Sequence, residues 1–160
     1  MRNIQLINFT DLPLEEKKMI LEWRNHHEIR KWMYNQDEIT LKEHLNFIES
    51  LKKRKDQLYF LVKKENEFIG VIDFTHLLEN KSVHMGIYSN PDTKGNGKIL
   101  LYEIIQYAFK TLNVKKIYSE LFEENKRAYS LYKKFSFKDV SKKTINNKQV
   151  LSMELKNENR

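Results

Sequence analysis

Two of the chain's four glycines stand in one short loop, Asn90-Pro91-Asp92-Thr93-Lys94-Gly95-Asn96-Gly97-Lys98. An apolar run ending at Tyr88 precedes it, and a strongly periodic apolar segment starting at Ile99 follows it. In a chain so poor in glycine, this placement predicts a strand that turns sharply into a packed helix. Glycines at such a turn let the backbone approach an anion closely, and the unpaired amides of the helix start, with Lys94 and Lys98 beside them, can satisfy phosphate oxygens. A sharp strand-to-helix reversal alone would also use a Gly-x-Gly turn. The spelling excludes two familiar nucleotide loops. There is no Gly-x-x-x-x-Gly-Lys-Ser/Thr, and Gly-x-Gly-x-x-Gly fails because Leu100 holds the third glycine position.

The rest of the chain reads as alternating short elements. Ile4, Leu6 and Phe9 predict a first strand, and Met19, Ile20 and Trp23 mark the apolar side of a first helix. Thr40 with Glu43 makes a capping-box pattern ahead of Leu41, Leu45, Ile48 and Leu51, which predicts a second helix. Leu58 to Val62 and Phe68 to Phe74 read as a β-hairpin turning at residues 64–67, and Val83 to Tyr88 as a further strand. Leu100, Leu101, Ile104, Ile105, Ala108 and Phe109 then form a wide helical face, with Ile117 to Phe122 as the strand beyond it. A helix from Asn125 to about Phe135 and antiparallel strands Phe137 to Val140 and Val150 to Leu155, turning at Asn146-Asn147, close the chain.

At 160 residues the expectation is one domain, residues 1–155, with a polar tail at 156–160. The absence of cysteine excludes a disulfide framework, Cys-ligated zinc and a Cys nucleophile, and fits a cytoplasmic protein. The start lacks an apolar signal core, and no run approaches the roughly 20 apolar residues of a membrane span, so no membrane association is expected. The balance of 29 Lys plus Arg against 22 Asp plus Glu, a net +7, favours an anionic partner without choosing one. A Lys-, Asn- and Ile-rich composition would produce the same balance. No metal site is expected: His26 and His27 are adjacent and cannot both face one ion from a regular helix.

The order of elements resembles the GNAT acetyltransferase fold. A second motif carries the resemblance further: Asn125-x-x-Ala128-x-x-Leu131-Tyr132-x-x-x-Ser136-Phe137 is similar to that family's Asn-x-x-Ala-x-x-Leu-Tyr-x-x-x-Gly-Phe. The resemblance implies a mixed α/β (α+β) fold. Its twisted, mostly antiparallel sheet would have about seven strands and helices on both faces, and a splayed parallel strand pair would form the acetyl-CoA cleft. It implies acetyl-CoA as cosubstrate, with pyrophosphate on Lys94, Gly95, Asn96, Gly97 and Lys98. Met85, Gly86, Ile87 and Tyr88 would line the thioester, and Asn125, Ala128 and Tyr132 would sit on the far wall. Two positions depart from the family pattern. Asp92 stands where Gln or Arg is usual, with Lys94 able to supply the charge, and Ser136 replaces a glycine, which puts a left-handed turn in question.

Tyr132 falls where many GNAT enzymes place the tyrosine that hydrogen-bonds the departing thiol; packing beneath the sheet is the alternative. A free tyrosine giving its proton to a thiolate is uphill by roughly 2 kcal/mol, so hydrogen bonding to developing charge is the expected role.

Further segments, Trp23-Arg24-Asn25-His26, Trp32-Met33-Tyr34, His44-Leu45-x-Phe47-Ile48, Gly70-Val71-Ile72-Asp73-Phe74 and Gly86-Ile87-Tyr88-x-Asn90-Pro91, resemble the bacterial N-acetyltransferases of pseudaminic acid synthesis. These acetylate the 4-amino group of UDP-4-amino-4,6-dideoxy-N-acetyl-β-L-altrosamine, a precursor of a sugar that decorates flagellin. A UDP-sugar needs cationic or hydrogen-bonding groups for its phosphates and flat surfaces for base and sugar. Arg24, Met33, Tyr34, His44 and Phe47 supply those types; Trp23 and Trp32 read as core, Phe47 equally so, and His44 equally as a helix-capping or solvated residue. Asp73, Thr75, His76 and His84 would line the same wall. Glu120, on the strand that would splay, is the expected base for the amine, with an outward solvated glutamate as the alternative and Asp73, His84 and His76 as other possible bases.

The predicted mechanism is direct attack in a ternary complex without an acetyl-enzyme. Rival acceptors are a protein N-terminus and a polyamine; a polyamine would call for an acidic cleft. Nucleic-acid binding is not expected, because the lysines are scattered and the aromatics follow core periodicity. A homodimer through sheet edges is compatible with the chain's size.

Overall fold

The computed structural model describes residues 3–158. A seven-stranded sheet is its spine, in the order β1-β2-β3-β4-β5-β7-β6. The strands are β1 (Ile4–Asn8), β2 (Leu58–Lys64), β3 (Glu67–Leu78), β4 (Ser82–Ser89), β5 (Lys116–Phe122), β6 (Lys138–Ile145) and β7 (Lys148–Lys156). Five helices accompany them: α1 (Leu14–Asn25), α2 (His27–Arg30), α3 (Leu41–Leu51), α4 (Gly97–Gln106) and α5 (Lys126–Lys134). Every neighbouring strand pair is antiparallel except β4 with β5. β7 includes Lys156, so the sheet extends one residue into the expected tail; residues 1, 2, 159 and 160 lie outside the described residues.

Strand alternation sends side chains to two faces. On one face Leu61 and Val71 pack with Phe9, Leu12, Ile20, Trp23, Ile48 and Leu51, which seats α1 and α3. On the other, Val62, Ile72, Phe74, Val83 and Ile117 pack against Leu100, Leu101, Ile104 and Tyr132, which seats α4 and α5. Local chemistry sets the element ends. The capping box is formed as the sequence predicts, with Glu43 N–H bonding Thr40 Oγ1 at 3.1 Å and Thr40 N–H bonding Glu43 Oε1 at 3.0 Å. Asn146 and Asn147 both take positive φ, 51° and 65°, as a two-residue hairpin turn demands.

Ser136 adopts φ +74°, so the left-handed turn after α5 survives without its glycine. The wide helical face past α4 ends in a π turn, Tyr107–Thr111, in place of a continuous α-helix. Trp32, expected in the core, is 37% exposed, with Lys31 Nζ lying 5.3 Å from its ring centre. It belongs to the segment 31–40, which carries no regular helix and is not covered by either core layer. No helix among the described residues is long and apolar enough to cross a membrane.

Candidate active site

The parallel pairing of β4 with β5 lasts for three residue pairs, Ser82 with Lys116, Val83 with Ile117 and His84 with Tyr118. Beyond His84 the two strands part. β4 continues to Ser89 against β3, and β5 continues to Phe122 against β7. Alternate backbone groups of Met85, Gly86, Ile87 and Tyr88 serve β3, which leaves the others facing the opening. The cleft therefore has a hydrogen-bonding backbone wall on one side.

At the mouth of that cleft stands the start of α4. Asn96 precedes the helix without capping it; its side chain is buried and its Nδ2 donates to Thr93 Oγ1 at 3.0 Å, which props the loop from within. The Asn96 side chain thus supports the shape of the loop. The first helical backbone bond runs from Leu100 N–H to Asn96 O, so the amides of Gly97, Lys98 and Ile99 have no partner within the helix. Gly95 takes φ +78° with open space around it, and Lys94 and Lys98 are exposed beside it. This is a cationic helix start built to receive an anion.

The opposite wall comes from α5. Asn125 caps that helix, accepting from Ala128 N–H at 3.2 Å. The cap fixes Tyr132, which is 6% exposed, packs against Phe137 at 5.7 Å and makes no side-chain hydrogen bond among the described residues. Burial, with a smaller contribution from the Asp73 carboxylate, pushes the Tyr132 hydroxyl above its ordinary pKa. A phenol held protonated in this way can donate a hydrogen bond and is a reluctant proton donor.

The segment between α2 and α3 lies against β5 on the face of the sheet that carries α1 and α3. Arg24 Nη2 donates to Asn35 O at 2.8 Å, Arg30 Nη1 to Gln36 O at 3.0 Å, and Asn25 exchanges two bonds with Ile39, at 2.9 and 2.8 Å. These bonds pin an irregular segment that carries Met33 and Tyr34. Tyr34 packs edge-on against Phe122, and its hydroxyl donates to Glu120 Oε1 at 2.5 Å. Lys143 Nζ, from β6, meets Glu120 Oε2 at 2.7 Å. Burial alone would raise Glu120, but the bonds from Lys143 and Tyr34 outweigh it and hold the carboxyl below the usual range. Arg24 keeps Nη1 buried without a partner among the described residues.

His44 serves packing, and Phe47 stands on the α3 surface beside Tyr59. His44 is buried, 6% exposed, and its Nε2 lies 2.8 Å from Lys17 O, tying α3 to α1. Burial lowers its pKa, so a neutral ring fills a packing position there. Phe47 is 37% exposed and stacks edge-on with Tyr59 at 5.0 Å, on the α3 surface. His76 and His84 do come together, with ring centres 4.9 Å apart, and His84 reaches Tyr118 at 5.3 Å. The register shift in β3 between Thr75 and Leu78, with His76 at φ +50°, accompanies that approach. Burial, then His76, lowers the pKa of His84.

Asp73 sits across the β3–β4 ladder from Gly86. A Cβ on Gly86 would stand 2.6 Å from Asp73 Cγ and closer still to both oxygens, so the carboxylate occupies the space that the glycine leaves empty. The sequence reading missed Lys143, Ser152, whose Oγ lies 3.5 Å from Glu120 Oε2, and Tyr59, the cross-strand neighbour of Asp73. Strand alternation in 58–62 marks the face of Tyr59; nothing local marks Lys143, whose approach depends on the β6–β7 register.

A sheet parted between its two parallel strands, with an uncapped cationic helix start at the gap and a buried tyrosine opposite, defines an acyltransferase that takes its acyl group from a phosphate-bearing thioester. The chain belongs to the acetyltransferase (GNAT) domain family, whose model matches residues 8–138. Acetyltransferase PseH of Campylobacter jejuni is 40% identical over 134 residues, 84% of each chain. The crystal structure of Campylobacter jejuni N-acetyltransferase PseH in complex with acetyl coenzyme A superposes with a TM-score of 0.82 at 33% identity, covering 98% of this chain and all of that one. Spermidine N-acetyltransferase from Vibrio cholerae, in complex with CoA and spermine, shares the fold with a TM-score of 0.85 at 20% identity, over 96% of this chain and 95% of its own.

Proposed function

We propose that this enzyme transfers the acetyl group of acetyl-CoA to the 4-amino group of UDP-4-amino-4,6-dideoxy-N-acetyl-β-L-altrosamine, in pseudaminic acid synthesis. The observation that carries the reading is the likeness to PseH, 40% identical over 84% of both chains. The chemistry of the acceptor wall supports it. Arg24, whose buried Nη1 has no partner among the described residues, is a cation suited to a diphosphate, and Tyr34, 43% exposed, offers aromatic surface to a base or sugar. The same wall disfavours a polyamine: its carboxylate Glu120 is already neutralised by Lys143.

The α4 amides and Lys98 hold the pyrophosphate of the cosubstrate, and its pantetheine runs between β4 and β5. Backbone N–H groups of Met85–Tyr88 polarise the thioester carbonyl, and Tyr132 hydrogen-bonds the sulfur as it departs. Transfer is direct, from thioester to amine. The test is thiol release by the purified protein from acetyl-CoA with a panel of UDP-4-amino sugars, N-terminal peptides and spermidine. Turnover on a UDP-4-amino sugar at least a hundredfold above the other amines is expected; turnover confined to peptides or spermidine refutes the assignment.

A further inference from the structure

The acceptor amine reaches this site as an ammonium ion at neutral pH, and nitrogen cannot attack until it loses a proton. Two carboxylates flank the opening on the face that carries the acceptor wall. The register places them in one row: Asp73 pairs with Gly86, and the parallel register of His84 with Tyr118, extended by two residues, sets Glu120 across the gap from Gly86. Gly86 has no side chain, so nothing on β4 separates Asp73 from the opening.

The two carboxylates are prepared differently. Both oxygens of Glu120 already accept bonds, from Tyr34 and from Lys143 with Ser152 nearby. Taking up a proton there means disrupting an ion pair and a short hydrogen bond. Asp73 makes no hydrogen bond or ion pair among the described residues, and its carboxylate lies over bare backbone at the point where the strands part. Its field reaches Tyr59, Tyr88 and, on the other wall of the cleft, Tyr132. It therefore stands between the acceptor side and the tyrosine assigned to the leaving sulfur.

We propose that Asp73 is the group that accepts the proton of the incoming ammonium, and that Glu120 positions the acceptor through Tyr34 and Lys143. This rests on the acetyl-transfer reading above. The nitrogen begins with three protons. One passes to Asp73 and on to water; the freed lone pair forms the C–N bond to the thioester carbon, and the C–S bond breaks with its electron pair on sulfur. The second proton leaves nitrogen for water as the amide forms, the departing thiolate accepts a hydrogen bond from the Tyr132 hydroxyl and then takes its proton from water, and the third remains on the amide. Burial raises the Asp73 carboxyl to about 7, where a base is half-ionised at neutral pH. The titratable groups around it are Tyr59 from β2, His84 and Tyr88 from β4, Arg24 of α1 beside Tyr88, Tyr132 from α5, Glu120 across the gap and His76 on its own strand.

The test compares wild type, Asp73→Asn and Glu120→Gln, following thiol release from pH 5.5 to 9.5 with the UDP-4-amino sugar. Asp73→Asn is expected to lose roughly 10²–10⁴ in kcat at pH 7 with acetyl-CoA affinity unchanged. It should lose the inflection near 7 and recover as the amine deprotonates unaided at high pH. Glu120→Gln is expected to raise the acceptor KM and keep the inflection. A carboxyl-carbon NMR titration of the wild type should find Asp73 changing near 7 and Glu120 below 4.5. Asp73→Asn within a few-fold of wild type at pH 7, an inflection lost in Glu120→Gln instead, or an Asp73 that titrates near 4 overturns the proposal. Wild type inert on UDP-4-amino sugars but active on peptides overturns the acceptor reading alone, and the Asp73→Asn comparison on that peptide then decides this one.

Discussion

The Tyr34 hydroxyl donates to Glu120 Oε1 at 2.5 Å, joining residues 86 positions apart in sequence. This bond and the Tyr34–Phe122 ring contact connect the irregular segment after α2 to β5. Removing the hydroxyl in Tyr34→Phe keeps the ring contact and deletes the bond to the carboxylate. Such bonds contribute about 1.5–3 kcal/mol when shielded and less when exposed, and Tyr34 is 43% exposed. The acceptor KM should rise about 3- to 10-fold, with acetyl-CoA affinity unchanged. Steady-state kinetics with each substrate varied in turn checks both; a change confined to acetyl-CoA would detach Tyr34 from the acceptor wall.

Ser136 sits at φ +74° after α5, where the family pattern has glycine. A side chain in this region costs about 1–2 kcal/mol, partly offset because glycine is more costly to order. Ser136→Gly should therefore stabilise the protein by about 0.5–1 kcal/mol, seen as a raised urea midpoint at constant slope. Because Ser136 is exposed and its side chain makes no hydrogen bond among the described residues, turnover should not change. A lowered midpoint would show that the serine itself supports the turn.

Much of this fold is legible from local signals because local chemistry sets it. The Thr40–Glu43 box, the Asn146-Asn147 turn and the Gly95 loop each act within a few residues, and each forms as the sequence predicts. The candidate site is less legible, since its contacts depend on register and on loop path. His44 looked like a ligand by residue type, yet the α1–α3 packing buries it on Lys17 O. Asp73 and Gly86 are 13 positions apart, and only the β3–β4 register makes the glycine's missing side chain the carboxylate's space. Likewise Lys143 meets Glu120 through the intervening β7, a relation that no spacing in the chain encodes.

Asp73 also leaves a mark on stability that is independent of turnover. Its carboxyl is raised from 3.8 to about 7 in the folded protein, so between those values the folded state binds more protons than the unfolded state. Its contribution is complete below about pH 4 and is lost as pH rises through 7. Asp73→Asn carries no such charge. The stability of the variant relative to wild type should therefore increase from pH 4 to 7 by roughly 4 kcal/mol and stay level above it. Urea unfolding of both proteins across pH 4–8 measures the difference; a gap that does not vary with pH would mean that the carboxyl titrates normally.

Tyr132 tests the other half of the transfer. Burial, aided by Asp73, pushes its hydroxyl above the ordinary tyrosine pKa, so it stays protonated throughout the working range. It can stabilise negative charge on sulfur by hydrogen bonding, and Tyr132→Phe removes that bond while keeping the ring against Phe137. Loss of one such donor lowers kcat by roughly 10²-fold, with acetyl-CoA affinity retained because the α4 start and the splayed strands are untouched. The wild-type rate should show no alkaline fall from Tyr132 below about pH 10. Tyr132→Phe should leave the acid limb in place, since the proposed base, Asp73, is untouched. A Phe variant with full turnover, or an alkaline limb near 9 that the substitution removes, would show that Tyr132 does not act as a protonated donor to the thiolate.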